Sequence, residues 1–418
     1  MEVKIIHHTV DLCDPQNNSE TYDIKDMVTL AGREAGICYM AEDYFSGKIN
    51  NSATAVKRAN VILGTGHHSP FDHASIGIEI SGIPKILAMI LNSTEFYTTS
   101  EKSARYTVMK PNNPRELEIY NKWRDIFKDI ITCTYPDVDP KHCEKLALEN
   151  ARYMLSVFTP TSMGFTTTFR QFSYLYYWLG DFVENIKKNQ NSSEFFNKLI
   201  PYCEELQQKL FPITEGIVGN HKNSRLGFMP QVYGYDIPMV TEYNKDGVVT
   251  GQFGNVYQVN YLASLAYLAQ AQRHRTLHYE MSEPTGGCFT PPILIDGKLP
   301  AEYADRDLVM EWGADYFELK HEFPQCSLVE VYESGSAANF FLKCKERLCG
   351  RAQLEITNTT AAIMEKFIAA KDVLSHEYRD MLDECTPDGC VVPKCGFAGY
   401  KCKEPCRWGK VNGLTRLI

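Results

Sequence analysis

Arg273-His274-Arg275, with Gln270 one turn earlier, sets two guanidiniums and an imidazole at the end of an otherwise apolar stretch. Such mutually repelling groups suit an anion or a polarisable ring as partner; a solvated helix C-terminus, whose dipole favours cations, is the plainer alternative. Glu101, Ser103 and Arg105 alternate. If extended, they would project a carboxylate, a hydroxyl and a guanidinium to one side, a set suited to a phosphate or ribose; read alone, the segment is more simply a polar loop. Gly66-His67-His68-Ser69-Pro70-Phe71-Asp72-His73 gathers three imidazoles and a carboxylate around a proline. Its spacing matches no zinc pattern, so a capping or cofactor-lining turn is expected rather than a metal site. The five thiols of the tail run Cys385-x4-Cys390-x4-Cys395-x6-Cys402-x3-Cys406 could hold zinc or an iron–sulfur cluster, but no Cys-x-x-Cys pair is present and no metal ligand is assigned.

No Gly-x-Gly-x-x-Gly follows a strand, and there is no Gly-x-x-x-x-Gly-Lys-Ser/Thr, His-Glu-x-x-His or Gly-x-Ser-x-Gly. The 418 residues carry 43 Lys plus Arg against 52 Asp plus Glu, a net charge of −9, which argues against a duplex nucleic-acid binder. No apolar run reaches the roughly 20 residues that span a bilayer, and Met1 to Asp14 reads as no export signal. A cytoplasmic protein with no membrane or nucleic-acid partner is expected, its fourteen cysteines reduced.

The elements that must position these residues are legible from periodicity. Ile24 to Phe45 reads as a helix, Ile76 to Ile80 as a strand, and Pro84 to Leu91 as a helix. Helices are also expected over Pro114 to Thr132, Lys141 to Phe158 and Phe169 to Ile186, with a surface loop from Lys187 to Glu194. A second series follows: strand Val256 to Tyr261, helix Leu262 to Gln272, helix Leu308 to Lys320, strand Ser327 to Tyr332, and one long helix from Ser336 to Lys371. The two series share an order. Arg152 and Lys320 stand 168 apart, as do Arg170 and Ala338, while Asn92 and Arg273 are offset by 181. An α/β (α+β) chain of two diverged repeats is expected, 1–215 and 216–382, followed by a Cys-rich tail, 383–418.

Taken together these segments resemble the flavin-dependent thymidylate synthases. That family carries a Ser/Thr-Pro-Phe-Glu-His turn, a Gln-x-x-Arg-His-Arg helix end, a Glu-x-Ser-x-Arg-Tyr segment and an Arg-Ala-Gln-Trp-Glu-Ile helix within each subunit of a homotetramer. Here the first series has Cys38-Tyr39, Ser69-Pro70-Phe71-Asp72-His73, then Glu101, Ser103, Ala104, Arg105 and Tyr106, with Arg152 and Arg170 beyond; Asn92-Ser93-Thr94 stands where Arg-His-Arg would be. The second has Gln270 and Arg273-His274-Arg275, Phe323-Pro324-Gln325 with Lys320 in the arginine position, then Arg347 and Arg351-Ala352-Gln353-Leu354-Glu355-Ile356. It lacks Glu-x-Ser-x-Arg. Asp72 replaces the family's glutamate and Ala104 its glycine. The losses are complementary: random decay would not spare one full composite set.

The resemblance implies one composite site per chain. Gln270, Arg273 and Arg347 with Glu101, Ser103, Ala104, Arg105 and Arg152 would bind the nucleotide, and Arg273, Arg347 and Arg105 would be the catalytic residues. Arg273, His274, Arg275, Ser69, Asp72, His73, Arg170 and Arg351 would face the flavin. The implied activity is reductive C5-methylation of dUMP to dTMP with FAD as cofactor and NADPH and methylenetetrahydrofolate as co-substrates. Two chains would pair as a homodimer, a pseudo-tetramer. UMP or a deoxycytidine nucleotide as substrate, and a non-catalytic nucleotide-binding homologue, are the alternatives.

Overall fold

The isoleucines of Ile76-Gly77-Ile78-Glu79-Ile80 share one face, and that face is buried without remainder in β2 (Ser75–Pro84). The computed structural model describes residues 1–12, 20–39, 51–93, 96–105, 107–189, 192–219, 256–403, 406–409 and 413–418. Tyr106, Thr94 and the expected helix end at 40–45 lie outside the described residues, as do the side chains of Cys38 and Tyr39.

By chain contacts there are two units, Met1–Lys102 with Pro160–Leu226, and Ser103–Thr159 with Gly227–Ile418. This grouping follows packing rather than sequence position: the stretch 103–159 belongs with the second unit, not with the residues that flank it.

The first unit holds an antiparallel sheet whose order is β1-β2-β4-β3, with β1 Glu2–His8, β3 Thr98–Glu101 and β4 Pro160–Thr168. Burial alternates strictly along β4. At its end Thr168 caps the helix Phe169–Lys188, accepting from the Gln171 amide, a bond worth about 1 kcal/mol. That helix buries Phe169, Phe172, Leu175, Leu179, Val183 and Ile186, a stripe spaced by three and four residues. It packs on the helix Glu194–Thr214, which the sequence reading did not assign and which carries Pro201 and Pro212 inside it. The helices Ile24–Tyr39, Ser52–Gly64 and Lys85–Leu91 also belong to this unit.

The second unit holds β5 (Val256–Ser264), β6 (His278–Met281) and β7 (Leu328–Ser336) in the antiparallel order β5-β7-β6. A hydrophobic core in this unit joins the helices Pro114–Thr134, Pro140–Ala151 and Leu308–Leu319, with Trp123 and Trp312 edge to face at 4.9 Å. Trp408 and Ile418 of the Cys-rich tail are buried in the same core. No described helix is long and apolar enough to cross a membrane.

Element by element, the sheet β5-β7-β6 repeats the order β2-β4-β3. The pair Ser75↔Thr168 has its counterpart in Val256↔Ser336, and Glu101↔Met163 in Met281↔Val331. The offset of 181 holds along β2 from Ser75 to Ser81. Gly82, at φ +74°, sits in a register shift between Ser81 and Ile83 that β5 lacks, so from the helix Lys85–Leu91 onward the offset is 180. Asn92 therefore corresponds to Gln272, each capping the end of its helix, and not to Arg273 as the spacing suggested. Arg152 and Lys320 each open a short 3-10 turn rather than a helix.

Two further corrections concern the site. The expected helix Lys141 to Phe158 stops at Ala151. The expected helix Ser336 to Lys371 is two, Ala337–Arg347 and Leu354–Ala369, separated by a break around Gly350. A Cβ at Gly350 would stand 2.9 Å from Cys406 Sγ and 2.8 Å from the Trp408 ring, so the tail's close approach requires glycine here.

Candidate functional site

The break between those two helices is what gathers the predicted residues of the second unit. It turns Gln353 inward at the start of the helix Leu354–Ala369. The Gln353 Oε1 accepts from Arg152 Nη2 at 2.8 Å and also from Gln270 Nε2. The Gln353 amide nitrogen donates to the Tyr153 hydroxyl, which donates to Glu355 Oε2 at 2.7 Å. Glu355 also accepts from the Ser264 amide at 2.8 Å and from Ser264 Oγ at 2.6 Å, at the point where β5 passes into the helix Leu265–Ala271. Burial raises the Glu355 carboxyl above its ordinary value, against the lowering effect of these donors. Burial likewise lowers the Arg152 guanidinium and holds the Tyr153 hydroxyl protonated.

Arg105 reaches the same break: its Nη2 donates to the Arg351 carbonyl at 3.0 Å and pairs with Glu149 Oε2 at 2.8 Å. Ser103 and Ala104 lie beside it, half-buried. Among the buried polar atoms of this cluster without a hydrogen-bond partner are Arg152 Nε and Gln270 Oε1. Buried polar groups are nearly always satisfied, so an unsatisfied donor and acceptor in one cluster mark where a ligand with both kinds of group fits.

Arg273, His274 and Arg275 form the turn after the helix Leu265–Ala271, with Arg273 and Arg275 exposed and His274 buried. His274 Nε2 accepts from Arg347 Nε at 2.5 Å, which puts the imidazole proton on Nδ1. Burial first, then the charges of Arg347 and Lys343, takes His274 down to about 3. The imidazole is neutral at any physiological pH, so the group is two cations and a polar ring rather than three cations.

Arg105, Arg351 and Arg407 also line a cavity of about 450 Å³, together with Lys145, His142 and Trp408; Asp137, Asp139 and Glu149 balance part of the charge. The volume falls in the range of small-molecule sites. Lys145, Arg407 and Trp408 escaped sequence reasoning, because nothing local distinguishes them from surface residues. Tyr153 escaped it too, although it follows Arg152 directly.

The remaining predicted residues belong to the first unit. Asp72 accepts from Thr168 Oγ1 at 2.8 Å and pairs with Arg170 Nη2, while the Arg170 guanidinium lies 5.7 Å from the Tyr174 ring centroid. His73 Nδ1 is 3.8 Å from Glu34, and Ser69 is exposed in the 3-10 turn Ser69–Asp72. Glu101 ends β3 and pairs with Lys85 at 2.7 Å. The single extended face expected for Glu101, Ser103 and Arg105 does not form, because the strand stops at Glu101 and the chain turns at Ala104 and Arg105. In the tail, burial chiefly, and then the thiols of Cys406, Cys402 and Cys349, raises the Cys395 thiol. Among the described residues no three His, Cys, Asp or Glu side chains form a group able to hold a metal.

Comparison with known proteins gives these residues a context. The family described as thymidylate synthase complementing protein matches residues 22–177, a stretch that holds Asp72, Glu101, Ser103, Arg105, Arg152 and Arg170 but stops short of Arg273 and Arg347. The flavin-dependent thymidylate synthase of Clostridium tetani (strain Massachusetts / E88) is 26% identical over 154 residues, 32% of this chain and 59% of the relative's length. Similar solved structures include a UMP/dUMP methylase, PolB, from Streptomyces cacaoi with 5-Br dUMP. Its TM-score is 0.29 at 13% identity, covering 52% of this chain and 95% of that one. The flavin-dependent thymidylate synthase ThyX of Helicobacter pylori, complexed with FAD and dUMP, has a TM-score of 0.26 at 16% identity, covering 50% of this chain and 98% of that one. Over residues 22–177 this chain is thus similar to the flavin-dependent thymidylate synthases.

Proposed function

We propose that the chain is an FAD-dependent enzyme that methylates C5 of dUMP to give dTMP, with methylenetetrahydrofolate as carbon donor and NADPH as reductant. The observation that carries this reading is the convergence, inside the second unit, of Arg152 and Gln270 on one glutamine oxygen, with Arg152 Nε and Gln270 Oε1 left unsatisfied. A pyrimidine nucleotide brings the matching acceptors and N–H donor. The family match and the curated relative support the flavin chemistry.

Under this reading Arg105 and Lys145 hold the phosphate at the cavity wall, while Gln270, Arg152 and Arg347 fix the base and draw charge from its carbonyls. The flavin, when bound, supplies the redox and one-carbon chemistry, so no protein nucleophile is needed. Arg273, His274, Arg275 and Arg351 are the candidates to hold it, and Ser69, Asp72, His73 and Arg170 are the further residues that the resemblance implies for the cofactor. Arg273 and Arg275 suit an electron-rich ring edge, and neutral His274 offers it a donor without adding a third charge. Two chains would together carry the four repeats of the family's tetramer, which sedimentation of the purified protein tests.

The deciding experiment is spectroscopic. Purified protein is titrated with FAD and then with dUMP, UMP or dCMP while the flavin absorption is followed. Bound flavin whose spectrum responds to dUMP, followed by turnover of dUMP above UMP and dCMP, supports the reading. No flavin binding with any nucleotide present removes it.

A further inference from the structure

Beneath the Arg347–His274 pair lies a buried charge network with no role in the reading above. Lys343 and Glu333 are both fully buried and pair at 2.8 Å. Glu333 also accepts from the Tyr257 hydroxyl at 2.6 Å and the Tyr261 hydroxyl at 2.5 Å; Tyr261 and Tyr267 share a bond of 2.7 Å. Lys343 donates to Tyr267 at 3.3 Å and lies over the rings of Tyr267 and Tyr279.

The first unit provides an internal control. Strand register and helix start place Ile76 where the second unit has Tyr257, Ile80 where it has Tyr261, Leu87 where it has Tyr267, Phe165 where it has Glu333, and Leu175 where it has Lys343. All five are at most 2% exposed. The same sheet order and register thus stand on an apolar interior. Replacing a buried ion pair by apolar residues is often neutral or stabilising, so the fold has no need of this one.

Resting on the nucleotide and flavin reading, we infer that Lys343 and Glu333 are positioning residues for that site: their network locks together the helix ends that present Arg347, His274 and Gln270. Lys343 lies one turn before Arg347 on the same helix face, and Tyr267 lies one turn before Gln270. The pair therefore fixes two helices against β7 just below the residues that would meet the ligand. Tyr279 extends the contact to β6, which follows the Arg273–Arg275 turn. The charged groups around His274 are Arg347, Lys343 and Glu346 from the helix Ala337–Arg347, with Arg273 and Arg275 on its own turn; Glu346 is 3.8 Å from Nδ1.

The test transplants the first unit's residues into the full chain, as Glu333→Phe, Lys343→Leu, Tyr257→Ile, Tyr261→Ile and Tyr267→Leu. The expected variant melts no lower than wild type, yet binds dUMP and FAD at least tenfold more weakly, and His274 takes up its proton at higher pH by NMR. A folded variant with unchanged affinities overturns the inference. Should the fivefold variant not fold, the volume-conserving pair Tyr261→Phe and Tyr267→Phe gives the same readouts, with a severalfold loss of affinity expected and none overturning it. The His274 titration needs no ligand. If wild type binds neither FAD nor dUMP, the functional reading fails, while a His274 titration that still moves in the Tyr261→Phe, Tyr267→Phe variant, which keeps the Lys343 charge, upholds the positioning.

Discussion

Arg347 donates through Nε to His274 Nε2 across 2.5 Å, a guanidinium held against a histidine that has given up its own charge. The contact requires the neutral ring, since a protonated imidazole offers no acceptor. It explains how Arg273-His274-Arg275 exists without mutual repulsion: the middle residue is buried and uncharged, and its neighbours reach solvent.

Acid should undo this pair. His274 takes its proton near 3 in the fold against 6.5 when unfolded, so its contribution is complete above 6.5 and is lost as pH falls toward 3. At about 1.36 kcal/mol per tenfold in proton affinity, the loss amounts to several kcal/mol by the end of that window. Chemical denaturation between pH 7 and 4 should show stability falling, with a shallower slope in His274→Gln. An equal slope in both would mean that other groups govern the acid limb.

Arg105→Ala and Arg273→Ala should each lower kcat/KM for dUMP by ~10²-fold or more, the scale for removing one charge-stabilising donor. Arg105→Ala also strands Glu149, to which it is paired at 2.8 Å. The double variant Arg105→Ala, Glu149→Gln should recover the lost melting temperature without recovering activity. Full activity in either single variant contradicts the assigned roles.

Glu355 accepts from Ser264 twice and from Tyr153 once, and its burial raises its proton affinity. Glu355→Ala orphans the Ser264 amide and should cost ~3 kcal/mol in urea unfolding. A carboxyl raised in the fold loses stability as pH climbs from the ordinary value of 4.5 through the folded one. Glu355→Gln should flatten that dependence; an unchanged profile would show that Glu355 does not set it.

Gly32→Ala tests the first unit alone. A Cβ there would lie 1.9 Å from the Ala55 carbonyl oxygen, so the helices Ile24–Tyr39 and Ser52–Gly64 must move apart. A loss of about 1–3 kcal/mol is expected, visible as a lower melting temperature. No change would mean that this helix pair yields more easily than a packed core.

Much of the architecture was legible in the chain itself. Alternation in Ile76 to Ile80, the apolar stripe from Phe169 to Ile186 and the shared offset of 168 are local or periodic signals, and the structure keeps them as β2, a helix and the matching positions of β4 and β7, each within its own sheet. The helix Glu194–Thr214 was not, because prolines at 201 and 212 read as breakers until an apolar face finds a partner.

The residue types that could do chemistry were fixed by the sequence alone: Gln270, Arg273 to Arg275, Arg347, Arg105 and Arg152 are set by spacing and identity. Tertiary structure decided their states. Only packing could say that His274 is buried and uncharged, that Glu101 is paired with Lys85 while Arg105 turns to Glu149, and that the break before Gln353 joins Arg152 to Gln270. Only the fold could place Lys343 and Glu333 in one unit where Leu175 and Phe165 fill the other. The physical reason is common to all of them: periodicity reports which face of an element is buried, whereas charge state and pairing depend on groups brought close from distant parts of the chain.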